Sequence, residues 1–261
     1  MKNLNKTNTS SKTVVIFNAA PNAGKDICAK LMKDYFRSGE IFSFKDSLYL
    51  DVAKHFDIGV DVLKTHHNNR DLKEIPNLMF PKYQDKVFKQ YFFWLLYLLG
   101  ILLKNHCLMS LGYYSSRGAL IHVSEDLVKP IKGERYYGDL LASKISDSVS
   151  KFFFVPDSGY KDEATPLLEA GYNVYIVQLE RNGATFENDS RKLLTEDDFK
   201  GVDGDMLYQN LKFIKMYNNG SLDDLYKTIT DFSFDLVLNQ TLNQYGGNGD
   251  DEIVEYEVVY E

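Results

Sequence analysis

A chain of 261 residues can bury one sizeable core, which favours one domain with an insertion over several domains. The composition, 44% hydrophobic and 26% charged, is typical of globular proteins, and the net charge of −7 argues against a sequence-wide attraction to nucleic acids or acidic membranes. We therefore expect nucleic acid to be an unlikely partner, and we expect no membrane partner. Cys28 and Cys107 lie far apart without metal-ligand spacing, which indicates reduced thiols and a cytoplasmic location.

Strands and helices alternate along most of the chain after a polar segment, residues 1–12, that we expect to be a flexible N-terminal tail. The predicted strands are 13–18, 40–44, 151–157, 172–179 and 213–217, and the predicted helices between and after them include 25–38, 46–56, 163–170 and 222–229. This alternation predicts an α/β fold with a central, mainly parallel sheet covered on both faces. The block 57–150 is too long for one crossover and predicts a helical insertion, and the polar segment 180–206 predicts a lid-like loop.

The junction of the first strand and first helix carries the most informative pattern in the chain. A small-residue loop ends at Gly24-Lys25-Asp26 and leads into the helix, which is the layout of a phosphate-binding P-loop. In such a loop, backbone N–H groups and a lysine bind anionic oxygens. Ala19 stands in place of the first glycine, and Asp26 replaces a hydroxyl residue but could bind Mg²⁺. The alternative is a turn whose small residues only redirect the chain.

The most apolar stretch, residues 91–103, falls within a predicted helix over 87–109. It is shorter than the roughly 20 residues needed to cross a bilayer. A buried helix is the favoured interpretation, and a membrane-surface element is the alternative.

The C-terminal segment 231–261 contains eight acidic residues and no Lys or Arg, which leaves residues 1–230 near neutral. The runs FSFDLVL and EIVEYEVVY alternate apolar and polar residues as half-buried strands do. They predict an acidic C-terminal β extension, with a turn near Gly246–Gly249, that packs on the sheet or pairs with a second copy of the chain as a homodimer.

Further short motifs follow one another in order between residues 13 and 229. They are Ala23-Gly24-Lys25-Asp26, Phe44-Lys45-Asp46-Ser47-Leu48, Arg70 with Lys73-Glu74, Ser115-Ser116-Arg117, Ser124-Glu125-Asp126, Tyr136-Tyr137, Val155-Pro156-Asp157, Arg181 and Asn218-Asn219-Gly220-Ser221-Leu222. In this order the chain resembles the tailed-phage deoxynucleoside monophosphate kinases, within the P-loop nucleoside monophosphate kinase group.

The resemblance implies a P-loop kinase three-layer fold and phosphoryl transfer from ATP, with Mg²⁺, to a deoxynucleoside monophosphate. It also implies small-molecule nucleotide substrates and, for a phage-encoded chain, the host cytoplasm. The residues it implies are Asn22, Ala23, Gly24, Lys25, Asp26, Ile27 and Asn219 for ATP; Lys25, Arg181 and Asp157 for catalysis; Asp26 and Asp157 for Mg²⁺; and Asp46, Arg70, Lys73, Arg117, Asp126 and Tyr137 for the acceptor.

Three departures from the family pattern keep other functions open. Ala19 replaces a glycine, Ile27 replaces a threonine, and no arginine follows Asp157, so that its role falls to Lys161 or is absent. The alternatives are a kinase that acts on a modified base in DNA and a degenerate nucleotide-binding or interaction module without turnover.

Single residues also have structural alternatives. Asp157 and Asp46 could cap helices. Arg181 and Arg117 could form surface ion pairs, and tyrosines 136 and 137 could simply pack.

Overall fold

The computed structural model describes residues 12–83, 87–187, 191–201, 206, 208–244 and 255–256. The chain divides into two compact units. The sheet unit contains the chain up to Phe44 and again from Tyr137, and the inserted unit is Lys45–Tyr136, whereas the sequence predicts an insertion over 57–150.

The secondary structure of the described residues comprises eight strands and ten α-helices. The strands are β1 Thr13–Ala19, β2 Glu40–Ile41, β3 Pro76–Pro81, β4 Tyr113–Ser115, β5 Phe152–Ser158, β6 Asn173–Glu180, β7 Leu211–Tyr217 and β8 Glu255–Tyr256. The helices are α1 Lys25–Tyr35, α2 Lys45–Phe56, α3 Val60–Asn68, α4 Val87–Leu102, α5 His106–Ser110, α6 Ser116–Ile121, α7 Lys129–Lys132, α8 Tyr136–Asp147, α9 Lys161–Glu169 and α10 Leu222–Gln244, with a π-helical turn at His122–Val128 and a 3₁₀ turn at Glu196–Phe199.

The sheet unit is built on a six-stranded sheet in the order β2-β5-β1-β6-β7-β8, and every described pairing in it is parallel. Side chains of β1 alternate between two cores. Val15 and Phe17 pack with α1 and α10 on one face, and Val14 and Ile16 pack with α8 and α9 on the other. The predicted α/β fold, with a mainly parallel sheet flanked by helices, is therefore confirmed.

Strand β1 lies at the point where the chain reverses its direction across the sheet. After β1 the chain passes α1 and reaches β2 on the far side of β5, and after β5 it passes α9 and reaches β6 on the other side of β1. Helices α1 and α9 consequently lie on opposite faces. In open α/β sheets, ligands bind at the carboxyl ends of strands at such a switch point. The loops after β1 and β5 occupy this position.

The inserted unit has two apolar cores and a small sheet. Helices α2, α3 and α6 and the π-helical turn share a core around Leu63 and Phe80. Strands β3 and β4 pair antiparallel, and a second core contains Tyr97, Met109 and Tyr113. The small sheet is not predicted by the sequence, because β3 contains two prolines and β4 has only three residues.

The prediction that the apolar helix is buried is wrong. Most large side chains of α4 are exposed, including Tyr91 and Leu102, which retain 68% and 77% of their accessible surface. No helix within the described parts of the chain is both long and apolar enough to cross a membrane.

The prediction of a strand at FSFDLVL is also wrong, because these residues continue α10. Leu225, Ile229, Phe232 and Leu236 recur at helical spacing and pack into the same core as α1. The alternation within FSFDLVL was therefore a short stretch of a 3.6-residue repeat. In the second run, Glu255–Tyr256 pair with β7 in parallel, so the predicted hairpin with residues 232–238 does not form. The predicted turn near Gly246–Gly249 and most of the N-terminal tail lie outside the described residues.

Candidate functional site

The loop between β1 and α1 is a tight turn that depends on two left-handed residues. Asn22 has φ 67° and Gly24 has φ 104°, and the Ala23 N–H donates to the Ala20 carbonyl at 3.3 Å. Asparagine and glycine are the residues that adopt such angles most readily. Ala19 is the last residue of β1 and is not among the positive-φ residues, so the missing glycine requires no strained backbone there.

Gly24 is also required by a close contact. A Cβ atom at this position would lie 2.5 Å from Nδ2 of Asn218, which donates to the Ala23 carbonyl at 2.7 Å. Asn218 is buried and lies just after β7, and its own N–H donates to the Glu180 carbonyl at 2.8 Å. Asn218 therefore fixes the loop to the ends of β6 and β7. The sequence identifies the motif that contains Asn218 but not this role.

Helix α1 begins with Lys25, directly after this turn. N–H groups of Ile27 and Cys28 donate to the Gly24 carbonyl at 2.9 and 3.1 Å. These bonds start the helix at the turn, and the N-terminus of a helix favours anions. Lys25 is half-buried, whereas Asp26 and Ile27 are exposed. The predicted loop residues thus form a compact corner at the switch point.

Arg181 and Asn219, which the resemblance places near ATP, lie beside this corner. Nη1 of Arg181 donates to the Asn22 carbonyl at 3.5 Å, and Oδ1 of Asn219 accepts the N–H of Asn182 at 2.7 Å. The loops after β6 and β7 are thereby joined to each other and to the loop after β1. The structure brings the predicted Asn22, Lys25, Arg181 and Asn219 together in one unit.

Asp157 has partners that fix the chain after β2. Its buried carboxylate accepts the Ser43 hydroxyl and, at 3.1 Å, the N–H of Phe44. Both oxygens are thus engaged, and the residue does not cap a following helix. Among the residues that the structure describes, no group of three or more His, Cys, Asp or Glu side chains could hold a metal ion.

An arginine that the sequence motifs do not identify lies against the loop after Asp157. A Cβ on Gly159 would lie 2.4 Å from Cβ and 2.5 Å from Cγ of Arg191, and Nη1 of Arg191 is buried. Lys161, by contrast, lies over the ring of Phe199 at 5.8 Å. Arg191 therefore lies against the loop that follows Asp157, a segment whose own sequence provides no arginine. No sequence signal identifies it, because it comes from a polar loop far along the chain.

The segment after Arg191 is tied to the sheet. Oδ1 of the buried Asn18 accepts the Leu194 N–H at 2.7 Å, and its Nδ2 donates to the carbonyls of Lys192 and Ser158 at 3.1 and 3.3 Å. Gln178 donates to the Leu194 carbonyl at 2.6 Å. This part of the predicted lid-like loop is consequently anchored across the ends of β1, β5 and β6.

The inserted unit brings Lys73 and Arg117 together, two residues that the resemblance assigns to the acceptor. The Arg117 N–H and the Ser116 hydroxyl both donate to the Lys73 carbonyl at 3.2 Å. Nη1 of Arg117 lies 3.3 Å from Oε1 of Glu74 in a partly exposed ion pair. Arg117 therefore forms the surface ion pair that was the alternative interpretation, with Glu74, and it also contacts the backbone of Lys73.

Positive charges of this part of the inserted unit act on His67, at the end of α3. Burial, followed by the positive charges of Lys45, Lys73 and Arg117, lowers the pKa of His67 from 6.5 to about 4. The imidazole is thus neutral at pH 7, and its buried Nδ1 has no hydrogen-bond partner among the described residues. Lys73 and Arg117 are joined by the contacts above, and the charge of Lys45 acts on the same imidazole. We call Lys45, Lys73 and Arg117 the cationic cluster.

The other predicted acceptor residues have separate surroundings. Asp46 pairs with Lys64 at 3.1 Å, and Asp126 pairs with His122 at 2.7 Å. Arg70 is exposed. Tyr137 belongs to the sheet unit and is 6% exposed there, which favours the packing interpretation.

Taken separately, the sheet unit offers a glycine-dependent loop with a lysine and arginines, and the inserted unit offers the cationic cluster. Both arrangements suit phosphate groups, which arginine and lysine bind by charge-assisted hydrogen bonds. No protein-family model matches the chain, and no curated protein matches it.

Proposed function

We propose that the protein transfers a phosphoryl group from ATP to a deoxynucleoside monophosphate, as the tailed-phage kinases that it resembles do. The observation that carries this proposal is the loop of Asn22–Lys25 at the switch point of a parallel sheet, held by Asn218 and flanked by Arg181. A glycine-dependent turn, a lysine and a helix N-terminus at this position suit nucleotide phosphates, and the order of the other motifs favours a monophosphate acceptor.

In this account the sheet unit binds ATP. Lys25 and the first N–H groups of α1 neutralise the β- and γ-phosphates, and Arg181 binds the phosphates from the loop after β6. Arg191 adds a second guanidinium near the end of β5. Asn219 belongs to the loop on the nucleoside side, where it orders the backbone of residue 182.

The inserted unit binds the acceptor in the same account. Arg117 and Lys73 hold the acceptor phosphate, and Lys45 adds positive charge near them. A nucleoside monophosphate already presents an oxyanion as its nucleophile. Positioning and charge neutralisation are therefore the main tasks of the protein, and no general base is needed.

The residues present offer Mg²⁺ one accessible carboxylate, that of Asp26. Asp26 is exposed in the first turn of α1, and Asp157 is already engaged by Ser43 and Phe44. Mg²⁺ usually binds one or two carboxylates, substrate phosphates and several waters, so Asp26 with the nucleotide suffices as a donor set. When bound, the ion would neutralise charge on the phosphates. Asp157 would then act by fixing the segment after β2.

A nucleotide-binding module without turnover is the second candidate. The engagement of both Asp157 oxygens favours it, because a catalytic metal would have to share this carboxylate with two other partners.

A coupled assay with ATP, Mg²⁺ and each of the four common deoxynucleoside monophosphates distinguishes the two candidates. We expect turnover with at least one acceptor, lost in Lys25→Ala and retained in Lys30→Ala, which changes an exposed lysine on the same helix. ATP binding without turnover on any acceptor would favour the module. Equal turnover in Lys25→Ala and the parent would refute the role of the loop.

A further inference from the structure

A row of buried polar side chains crosses the carboxyl edge of the sheet. Asn18 on β1 lies beside Ser158 on β5 and beside Gln178 on β6 in the register of the parallel strands. Asn18 and Ser158 are 0% exposed, and Gln178 is 6% exposed. We call these three residues the polar row. Burial of a polar side chain is unfavourable unless the side chain is hydrogen-bonded, so the partners of the row indicate its purpose.

The two amides of the polar row bind the backbone at Lys192 and Leu194. Oδ1 of Asn18 accepts the Leu194 N–H at 2.7 Å, and Nε2 of Gln178 donates to the Leu194 carbonyl at 2.6 Å. Nδ2 of Asn18 also donates to the Lys192 carbonyl at 3.1 Å. Leu194 itself is buried in the core on that face of the sheet. The segment is therefore fixed by its backbone, and only a side chain that both donates and accepts can make the contacts of Asn18.

This anchored segment lies directly after Arg191 in the chain. The first part of the Arg191 side chain packs on Gly159, where an added Cβ would lie 2.4 Å from Cβ and 2.8 Å from Cδ of the arginine. Gly159 follows β5, which neighbours β1, so the arginine lies near the switch point at the carboxyl ends of the strands. In open α/β sheets, ligands bind at this edge. The anchor and the glycine thus hold one arginine at the edge of the sheet that carries the proposed ATP site.

We propose that Asn18 is a positioning residue that holds Arg191 where its guanidinium binds the phosphates of ATP. This role rests on the proposed function and adds the side chain that makes Arg191 effective. An arginine on a loop loses conformational freedom when it binds a phosphate, and a fixed backbone reduces that loss. Asn18 acts without touching the nucleotide, because its buried amide is occupied by backbone groups.

A double-mutant cycle on ATP affinity tests this role. Asn18→Leu roughly keeps the volume of the side chain and removes its hydrogen bonds, and Arg191→Ala removes the guanidinium. Each should raise Kd for a fluorescent ATP analogue, measured with Mg²⁺ and without an acceptor, about tenfold. Because Asn18 acts through Arg191, Asn18→Leu should have no further effect in the Arg191→Ala background. A purely structural Asn18 would lower the free energy of unfolding without this coupling.

Ser158→Ala is the matched control within the polar row. The Ser158 hydroxyl is buried and has no hydrogen-bond partner among the described residues, so its removal should leave the ATP affinity unchanged. Gln178→Met removes a single bond to Leu194 and should weaken ATP binding less than Asn18→Leu does. Gln178→Met also replaces Asn18→Leu in the cycle if circular dichroism shows that Asn18→Leu does not fold.

Three results overturn the positioning role of Asn18. They are an ATP affinity of Asn18→Leu equal to the parent's, losses that multiply in the double variant, and a loss of the same size in Ser158→Ala. A parent that binds ATP but phosphorylates no acceptor refutes the proposed function alone, because the cycle is measured without an acceptor. A parent that binds no ATP overturns both.

Discussion

Replacement of Gly24 by alanine tests whether the loop after β1 depends on the contact with Asn218. Two effects add at this position. An alanine forced to a φ near 104° costs about 1–2 kcal/mol in backbone strain. The new Cβ would also lie 2.5 Å from Nδ2 of Asn218, which would have to release its hydrogen bond to Ala23, at a cost of about 1–2 kcal/mol more. We therefore expect Gly24→Ala to lower the free energy of unfolding by about 2–4 kcal/mol.

Gly171 provides the matched control for this prediction. Its φ is 79°, and a Cβ there would meet nothing within 4 Å, so Gly171→Ala should cost only the strain of about 1–2 kcal/mol. A double-mutant cycle isolates the contact. In an Asn218→Ala background, the cost of Gly24→Ala should fall to the strain alone. Chemical denaturation followed by circular dichroism measures the four proteins of the cycle and Gly171→Ala. Equal losses for Gly24→Ala and Gly171→Ala would refute the role of Asn218 at the loop.

Three further outcomes are expected. Arg117→Ala should raise KM for the monophosphate about ten- to a hundredfold, with a smaller change in KM for ATP. An unchanged acceptor KM would mean that Arg117 does not bind the acceptor and only pairs with Glu74. Arg191→Ala should lower kcat about a hundredfold, with partial recovery in Arg191→Lys, whereas an unchanged kcat would make its contact with Gly159 purely structural. Because the pKa of His67 is about 4 when folded and about 6.5 when unfolded, the unfolded state binds the proton first. Stability should thus fall as the pH drops from 6.5 to 4, and it should fall less in His67→Gln. An NMR titration in which the His67 resonance itself has its midpoint near 6.5 would contradict this.

The sheet is predictable from the sequence because its strands are buried on both faces. Continuous runs such as residues 13–17 and 152–155 are typical of parallel strands between helical layers, and the residues that follow such strands lie at one edge. The positions of Lys25, Arg181 and Asn219 near one another follow from this topology alone.

Other parts of the site are not predictable because they depend on tertiary contacts. Arg191 reaches Gly159 only because Asn18 and Gln178 anchor the segment after it. Asn218 matters only because Gly24 leaves room for its amide. The spacing of residues in the sequence predicts neither the contact of Arg191 with Gly159 nor that of Asn218 with Gly24.

Two predictions failed because a short apolar pattern shows neither whether its apolar side is buried nor, on its own, whether it forms a strand or a helix. The run at 91–103 identifies a helix, but its wider side is exposed. The run at FSFDLVL is short enough to fit both a strand and a helix, and the continuation of helical spacing from Leu225 to Leu236 decides it.

The central claim is that ATP and a deoxynucleoside monophosphate react on this protein. Phosphorus-31 NMR of the full chain with ATP, Mg²⁺ and the four acceptors measures the products directly. We predict that ADP and a deoxynucleoside diphosphate accumulate in equal amounts and that neither forms with Lys25→Ala. Persistence of ATP and every acceptor unchanged, or release of inorganic phosphate without a diphosphate acceptor product, would contradict the claim.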